Sequence, residues 1–155
     1  MDADLMKPFM TAATGVFSTM FNLQAVAGPW REAGNDGEHG WDVSGILGFT
    51  GGAQGVLALR LPSGLAYELL RLSGVESADA GERDATMYGL VGEISNIIAG
   101  NAIGELADLD LDISPPVVVK GRNHSMSWPK IGPVLAATCS TDAGSFELAV
   151  CMSRR

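Results

Sequence analysis

Two polar residues, Glu93 and Asn96, stand three positions apart in a segment whose apolar spacing is typical of a helix. Side chains at this spacing are neighbours on a helix surface, so the carboxylate and the carboxamide project side by side. A carboxylate can pair with a cation. A neutral carboxamide both donates and accepts hydrogen bonds, so it can hold a water molecule without repelling anionic oxygens. The pair therefore suits chemistry on a charged group that another molecule supplies.

The helix that carries the pair is predicted to run from about residue 84 to residue 109. Its apolar residues fall within one broad arc of a helical wheel, which predicts a single buried face. That face contains Met87, Leu90, Val91, Ile94, Ile97, Ile98 and Ala102. Glu93 and Asn96 lie nearly opposite the centre of this arc, so we expect both side chains to reach solvent.

Three glycines, Gly89, Gly92 and Gly100, share the side of the helix that carries the pair, and Ser95 flanks it. A glycine inside a helix costs about 0.5–1 kcal/mol relative to alanine, so folding alone does not explain three of them. We predict that their bare backbone lets a partner surface approach the acid and the amide closely. The alternative is that the small residues seat a neighbouring helix of the same chain or of a second copy.

The first half of the chain predicts two helices around a hairpin. An amphipathic helix is expected over 3–25 and is stopped by Gly28-Pro29, and 31–40 is expected to be a loop. A hairpin joins strands over 41–49 and 55–61 through Gly51-Gly52. A second helix starts at Pro62-Ser63 and ends at Gly74, and a polar loop is expected over 75–83.

The second half continues with the long helix, short strands over 110–113 and 117–120, and a polar connection over 121–133. A second hairpin pairs 134–140 with 145–152. The predicted fold is therefore α+β, an antiparallel sheet covered by helices. The order helix–hairpin–helix and then helix–strands–hairpin suggests a duplicated half. No Walker A pattern and no Gly-x-Gly-x-x-Gly run after a strand supports nucleotide binding.

Composition narrows the function classes. The 155 residues carry a net charge of −8, which disfavours binding to nucleic acid and to acidic membrane surfaces. No apolar run has the length of a membrane span, and the acidic start does not resemble a secretory signal, so we expect a cytoplasmic protein. Cys139 and Cys151 are predicted to be core residues, and His39 and His124 surface histidines, with no metal site. Asp108, Asp110 and Asp112 alternate without an EF-hand pattern and are expected to form a solvated strand edge.

The run from Glu93 through Asn96 to Gly100-Asn101-Ala102, followed by Ser114-Pro115-Pro116 and the valines up to Lys120-Gly121, resembles the CheX members of the CheC/CheX/FliY family of chemotaxis phosphatases. The N-terminal helix, the Ser44-Gly45-Ile46-Leu47-Gly48 strand and the Gly55 strand are similar to the same family. The resemblance spans nearly the whole chain. It implies a single CheC-like, pseudo-duplicated domain over 1–155, paired as a homodimer through sheet edges.

The resemblance also implies a function, the dephosphorylation of a CheY-type response regulator that is phosphorylated on aspartate. Glu93 would pair with the regulator's active-site lysine, and Asn96 would orient a water for in-line attack. The regulator would supply its own Mg²⁺, so this chain is expected to bind no cofactor. The family motif often begins with Asp or Ser where this chain has Gly89. That departure allows a second reading, a non-catalytic module that docks a regulator or a flagellar-switch component.

Overall fold

The structure, a computed structural model, describes residues 3–33 and 40–155. The helices are α1 (Ala3–Phe21), α2 (Ser63–Leu72) and α3 (Ala80–Gly104), and a 3-10 turn follows at Ala107–Leu109. The strands are β1 (Val26–Ala27), β2 (Arg31–Glu32), β3 (Val43–Thr50), β4 (Ala53–Leu61), β5 (Asp112–Ile113), β6 (Val117–Lys120), β7 (Val134–Thr141) and β8 (Gly144–Arg154). Among these described helices, none combines the length and the apolar character needed to cross a bilayer.

Within the described chain the strands form one sheet in the order β1-β7-β8-β4-β3-β5, with β2 also on β7 and β6 also on β3. Every strand pair is antiparallel. The two predicted hairpins are β3–β4 and β7–β8, and they meet at the centre of the sheet through β4 and β8. The predicted α+β class is confirmed. Pairing of two copies through a sheet edge stays a prediction.

The hydrophobic core lies between the helices and one face of this sheet. Phe9 and Phe17 of α1 are fully buried, and the ring of Phe17 stacks on that of Phe146 with centroids 4.2 Å apart. Alternate residues of β4 and β8 complete the core, namely Leu57, Leu59, Leu61, Phe146, Leu148 and Val150. Each long helix therefore buries one apolar stripe and leaves its opposite side open.

The opposite face of the sheet is lined by small residues and crossed by the 121–133 segment. Ala58, Ala136 and Ala149 lie side by side across three strands and are buried. The Cys151 thiol on the same face donates to the Gly132 carbonyl at 3.5 Å. Both cysteines are free and buried, as predicted, and burial raises the pKa of the Cys139 thiol to about 11.

A polar cluster fixes the 121–133 segment to this face. It is made of the buried residues Ser44, Arg60 and Glu147 and the half-buried His124. Arg60 is 2% exposed and lies 3.5 Å from the Glu147 carboxylate, which also accepts a 2.9 Å hydrogen bond from Arg31. Arg60 donates to the His124 carbonyl at 3.0 Å and to the Ser44 hydroxyl at 3.3 Å.

His124, predicted to be a surface histidine, is half-buried, and both of its ring nitrogens have partners. Its Nε2 lies 2.7 Å from the Ser44 hydroxyl and its Nδ1 lies 2.9 Å from the Gly121 carbonyl. Because a carbonyl only accepts, Nδ1 carries a proton, and Nε2 accepts from Ser44 when the ring is neutral. The ring therefore ties the turn after β6 to β3. His39 lies outside the described residues.

Asp42 caps α2 from outside that helix. Its carboxylate accepts from the Ser63 backbone N–H at 2.9 Å, from the Ser63 hydroxyl at 3.1 Å and from the Asn123 N–H at 3.3 Å. Pro62 occupies the N-cap position and provides no side-chain cap. Burial acts to raise the pKa of Asp42, but the hydrogen bonds from Ser63 and Asn123 outweigh it, so the pKa lies below the ordinary value of 3.8.

We expect Asp42→Ala to lower the free energy of unfolding at pH 7 by about 1–2 kcal/mol, the usual cost of losing a helix cap. The folded-state pKa is depressed, so the unfolded chain binds the proton more tightly. The contribution is complete above the unfolded value near 3.8 and is lost as the pH falls through the lower folded pKa. Urea unfolding at pH 7 and pH 3 measures both effects. Asp108→Ala, at an exposed carboxylate, is the control, and an equal loss in both variants contradicts the cap.

Several elements differ from the sequence prediction in their bounds. Helix α1 ends at Phe21 rather than 25 because Asn22 adopts a left-handed φ of 54° and its N–H bonds the Ser18 carbonyl, the αL type of helix ending. Helix α3 begins at Ala80, inside the predicted loop, because the Asp79 carboxylate caps the Glu82 N–H, and it ends at Gly104 rather than 109. Arg31–Glu32, also predicted as loop, pairs with β7.

Candidate functional site

Helix α3 is seated directly on strand β3, without an intervening layer of large side chains. A Cβ added at Gly45 would lie 2.0 Å from the Ser95 hydroxyl and 3.2 Å from the Val91 carbonyl. Ser95 is fully buried, and its hydroxyl donates to the Val91 carbonyl at 2.8 Å. Gly45 in β3 and Ser95 in α3 therefore fix the distance between the helix and the sheet. They also fix how far the opposite side of the helix projects from the sheet.

The predicted buried arc of α3 is confirmed at its centre. Met87, Val91, Ile94, Ile98 and Ala102 are buried, whereas Leu90 and Ile97, nearer its margin, are partly buried and pack against the core. This arc faces α1 and the sheet, so the angular position of the opposite side is fixed as well.

Glu93 and Asn96 are exposed on that opposite side. Neither side chain forms a hydrogen bond or a salt bridge within the described chain. A Cβ added at Gly89 or at Gly100 would meet no atom within 4 Å. We call the surface formed by Gly89, Glu93, Asn96 and Gly100 the acid–amide ridge. The alternative that Gly89 and Gly100 seat another helix of the same chain does not hold for the described residues.

Gly92 does not belong to this exposed surface, and its predicted exposure is wrong. The residue is buried, and a Cβ there would lie 3.2 Å from Val118 Cγ2 and 3.7 Å from Pro116. Gly92 lies at the boundary between the ridge and the buried arc, where β6 and the preceding prolines pass beside the helix. Its absent side chain admits β6, so it serves the packing of this chain.

Two different walls flank the ridge. On the α1 side a groove of about 350 Å³ runs between the helices and is lined by Thr11, Gly15, Thr19, Met20, Ile97 and Asn101. On the β6 side Pro116 and Val118 lie against Gly92, and the Lys120 ammonium lies 4.5 Å from the centroid of the Tyr88 ring. A partner protein can therefore contact Glu93 and Asn96 while it packs against both of these flanking surfaces.

The described residues bring together no group of three or more His, Cys, Asp or Glu side chains that could hold a metal ion. The ridge itself offers one carboxylate and one amide. Such a pair can bind a cation and hold a water molecule.

Sequence reasoning missed two features, a contact beside the ridge and the polar cluster on the opposite face of the sheet. The contact of Lys120 with Tyr88 left no signal because the two residues lie on different elements. The polar cluster did leave a signal in the sequence, since Arg60 and Glu147 interrupt strands that are otherwise mostly apolar. A charge inside such a run predicts a buried partner.

The fold and the site define a class of protein. It is an α+β protein that presents a carboxylate and a carboxamide together on the open face of a long helix seated on an antiparallel sheet. A family model described as chemotaxis phosphatase CheX matches residues 43–140, more than half of the chain, including α3 and the ridge. The chain belongs to the CheX family.

Solved structures agree with this assignment. A chemotaxis protein CheX from Desulfovibrio desulfuricans is 28% identical with a TM-score of 0.85, over 97% of this chain and 99% of that one. A CheC-like superfamily protein from Shewanella sp. PV-4 is 26% identical with a TM-score of 0.87, over 99% of both chains. The CheX–CheY–BeF3–Mg²⁺ complex from Borrelia burgdorferi matches at 24% identity and a TM-score of 0.81, over 99% of this chain and 100% of that one, and shows the shared fold. No curated protein matches the chain by sequence.

Proposed function

We propose that the chain dephosphorylates a CheY-type response regulator that is phosphorylated on aspartate. The observation that carries the proposal is the acid–amide ridge, where Glu93 and Asn96 are exposed and bordered by the open positions Gly89 and Gly100. Membership in a family of chemotaxis phosphatases supports it. The Borrelia relative solved with CheY, BeF3 and Mg²⁺ shows that a protein of this fold can engage such a regulator.

The acyl phosphate of the regulator is already reactive, so the main requirement for hydrolysis is a water molecule held in the right position. Asn96 would accept one hydrogen bond from that water and hold its oxygen in line with phosphorus. A bond forms from the water oxygen to phosphorus, and the bond from phosphorus to the aspartyl oxygen breaks. The products are the free aspartate and inorganic phosphate, and the water's protons pass to the phosphate and the solvent. Mg²⁺ bound by the regulator neutralises charge on the transferring group.

Glu93 would act as a docking charge. Its exposed carboxylate lies next to Asn96 and can pair with the regulator's active-site lysine. This pairing fixes the position of the acid–amide ridge in the regulator's active site. A charge-assisted hydrogen bond of this kind is about twice as strong as a neutral one. Binding and water placement are then divided between two neighbouring side chains.

The decisive experiment incubates the chain with a phosphorylated CheY-type regulator and Mg²⁺ and follows loss of the phosphoryl group. Accelerated hydrolysis supports the phosphatase. Binding without acceleration favours the non-catalytic module, for which Gly89 at the first motif position is the motivating feature.

We expect Glu93→Gln to raise KM for the phosphorylated regulator about tenfold while kcat falls less, because the substitution removes the docking charge and leaves Asn96 in place. Steady-state kinetics of phosphate release measures the split. Asp108→Asn removes an exposed carboxylate from the 3-10 turn instead and should leave both constants unchanged. A fall in kcat with constant KM contradicts a docking role for Glu93.

A further inference from the structure

An open cleft of about 560 Å³ lies beside the N-terminal half of α3, between that helix, the start of α2 and the turn after β6. Its walls include Tyr67, Tyr88, Lys120 and Arg122, and Asp42 and Ser63 lie at its edge. Tyr67 donates a hydrogen bond to Asp84, which fixes one aromatic wall to α3. We call this the tyrosine cleft.

The charges of the tyrosine cleft are opposite in sign to those of the whole chain. Lys120 and Arg122 are exposed, and Lys120 forms no salt bridge within the described residues. The single carboxylate of the lining, Asp42, accepts hydrogen bonds from Ser63 and Asn123 and is also attracted to Arg122, so Lys120 is the cation left for an incoming anion. Two cations thus face a cleft in a protein whose net charge is −8. The cleft suits an acidic group.

The Lys120 ammonium is held in place before any ligand arrives, because it lies 4.5 Å from the centroid of the Tyr88 ring. A cation over an aromatic face is stabilised there and stays able to accept an anion from its open side. Orienting the side chain in advance reduces the entropy lost on binding. Lys120 is therefore better suited to a specific contact than a freely rotating surface lysine.

The cleft is continuous with the acid–amide ridge. Tyr88 precedes Gly89, whose open position leaves bare backbone between the cleft and Glu93. At about 1.5 Å per residue, Tyr88 and Asn96 lie roughly 12 Å apart along the helix axis. A protein contact of ordinary size, about 800 Å² on each partner, covers both places.

We propose that the tyrosine cleft is a second contact site for the phosphorylated regulator, where Lys120 binds a carboxylate from the regulator surface and so helps select which regulator is accepted. This inference rests on the proposed function. The carboxylates that ligate Mg²⁺ in the regulator are occupied by the metal, so the carboxylate that Lys120 binds lies outside the metal pocket, as the spacing between Tyr88 and Asn96 along α3 requires. The ridge engages the phosphoryl group, and the cleft engages an acidic side chain beside it.

The test compares Lys120→Glu and Lys120→Arg with Lys130→Glu, which reverses an exposed charge in the 121–133 segment, outside the cleft and the ridge. The probe is a CheY-type regulator with bound Mg²⁺ and beryllofluoride, titrated by calorimetry. Lys120→Glu should raise Kd about tenfold or more, while Lys120→Arg and Lys130→Glu stay within about twofold of wild type. Raising NaCl should weaken wild-type binding more than Lys120→Glu binding, since the variant has already lost the attraction.

Phosphate-release kinetics separates this inference from the proposed function. We expect Lys120→Glu to raise KM with kcat within about twofold of wild type. If Lys120→Glu leaves KM and Kd unchanged while the wild-type chain accelerates hydrolysis, the tyrosine cleft is not a contact site, and the proposed phosphatase function is unaffected. A wild-type chain that binds the regulator without hydrolysis overturns the phosphatase, and the Lys120→Glu titration still decides the cleft. Circular dichroism of all three variants verifies the fold.

Discussion

Asn96→Ala is expected to lower the rate at which this chain dephosphorylates its regulator by at least about 100-fold, the scale seen when one pre-positioned hydrogen-bonding group is removed from an active site. The side chain is exposed, so its loss leaves no cavity and no unpaired buried group. Single-turnover decay of the phosphorylated regulator measures the chemical step, and Kd for the beryllofluoride form should change by less than about threefold.

Two further variants sharpen this prediction. Gln24→Ala removes an exposed carboxamide from the loop after α1, outside the ridge and both of its walls, and should retain full activity. Asn96→Asp keeps the shape of the side chain but adds a negative charge, which repels the phosphoryl oxygens, so it should be as inactive as the alanine variant. An Asn96→Ala protein as fast as wild type would overturn the water-positioning mechanism.

The second large effect concerns stability. Glu147→Ala is expected to lower the free energy of unfolding by about 3 kcal/mol, because it takes the Glu147 carboxylate away from the buried Arg60 guanidinium. Arg60 is 2% exposed, and the Glu147 side chain 7%. Ser44 and the His124 carbonyl still bond the guanidinium, but neither neutralises its charge. Guanidinium chloride unfolding followed by tryptophan fluorescence measures the loss.

Arg31→Ala is the matched control, since it removes the other cation that contacts Glu147. The Arg31 side chain is 51% exposed, so its loss should cost less than about 1 kcal/mol. Replacing Arg60 and Glu147 together by methionine should cost less than either single change, because no buried charge is then left alone. Equal losses in Glu147→Ala and Arg31→Ala would contradict a buried, mutually dependent pair.

The sequence was sufficient for features that depend on local periodicity. The buried arc around Val91 and Ile94, the exposure of Glu93 and Asn96, and both hairpins follow from spacing, and the structure confirms them. A helical wheel gives the direction of each side chain but not the element that lies there. Gly92 was misplaced for this reason, because β6 passes beside it.

Contacts between distant segments could not be predicted in the same way. The cap that Asp42 provides for α2 and the bond between Ser44 and His124 depend on which strands become neighbours, and no short spacing encodes that. The early start of α3 was available in principle, since Asp79 followed by Glu82 is a helix-start signature. It was missed because the polar residues around it read as a loop.

The contact between Gly45 and Ser95 restricts how relatives of this chain can diverge. A methyl group at position 45 would collide with the serine hydroxyl, and the serine cannot rotate into empty space because it is fully enclosed. Exchange of Gly45 for alanine is therefore tolerable only in a background where position 95 has already become smaller. The two positions should vary as a pair, because alanine at position 45 opposite serine at position 95 would lift α3 off its support.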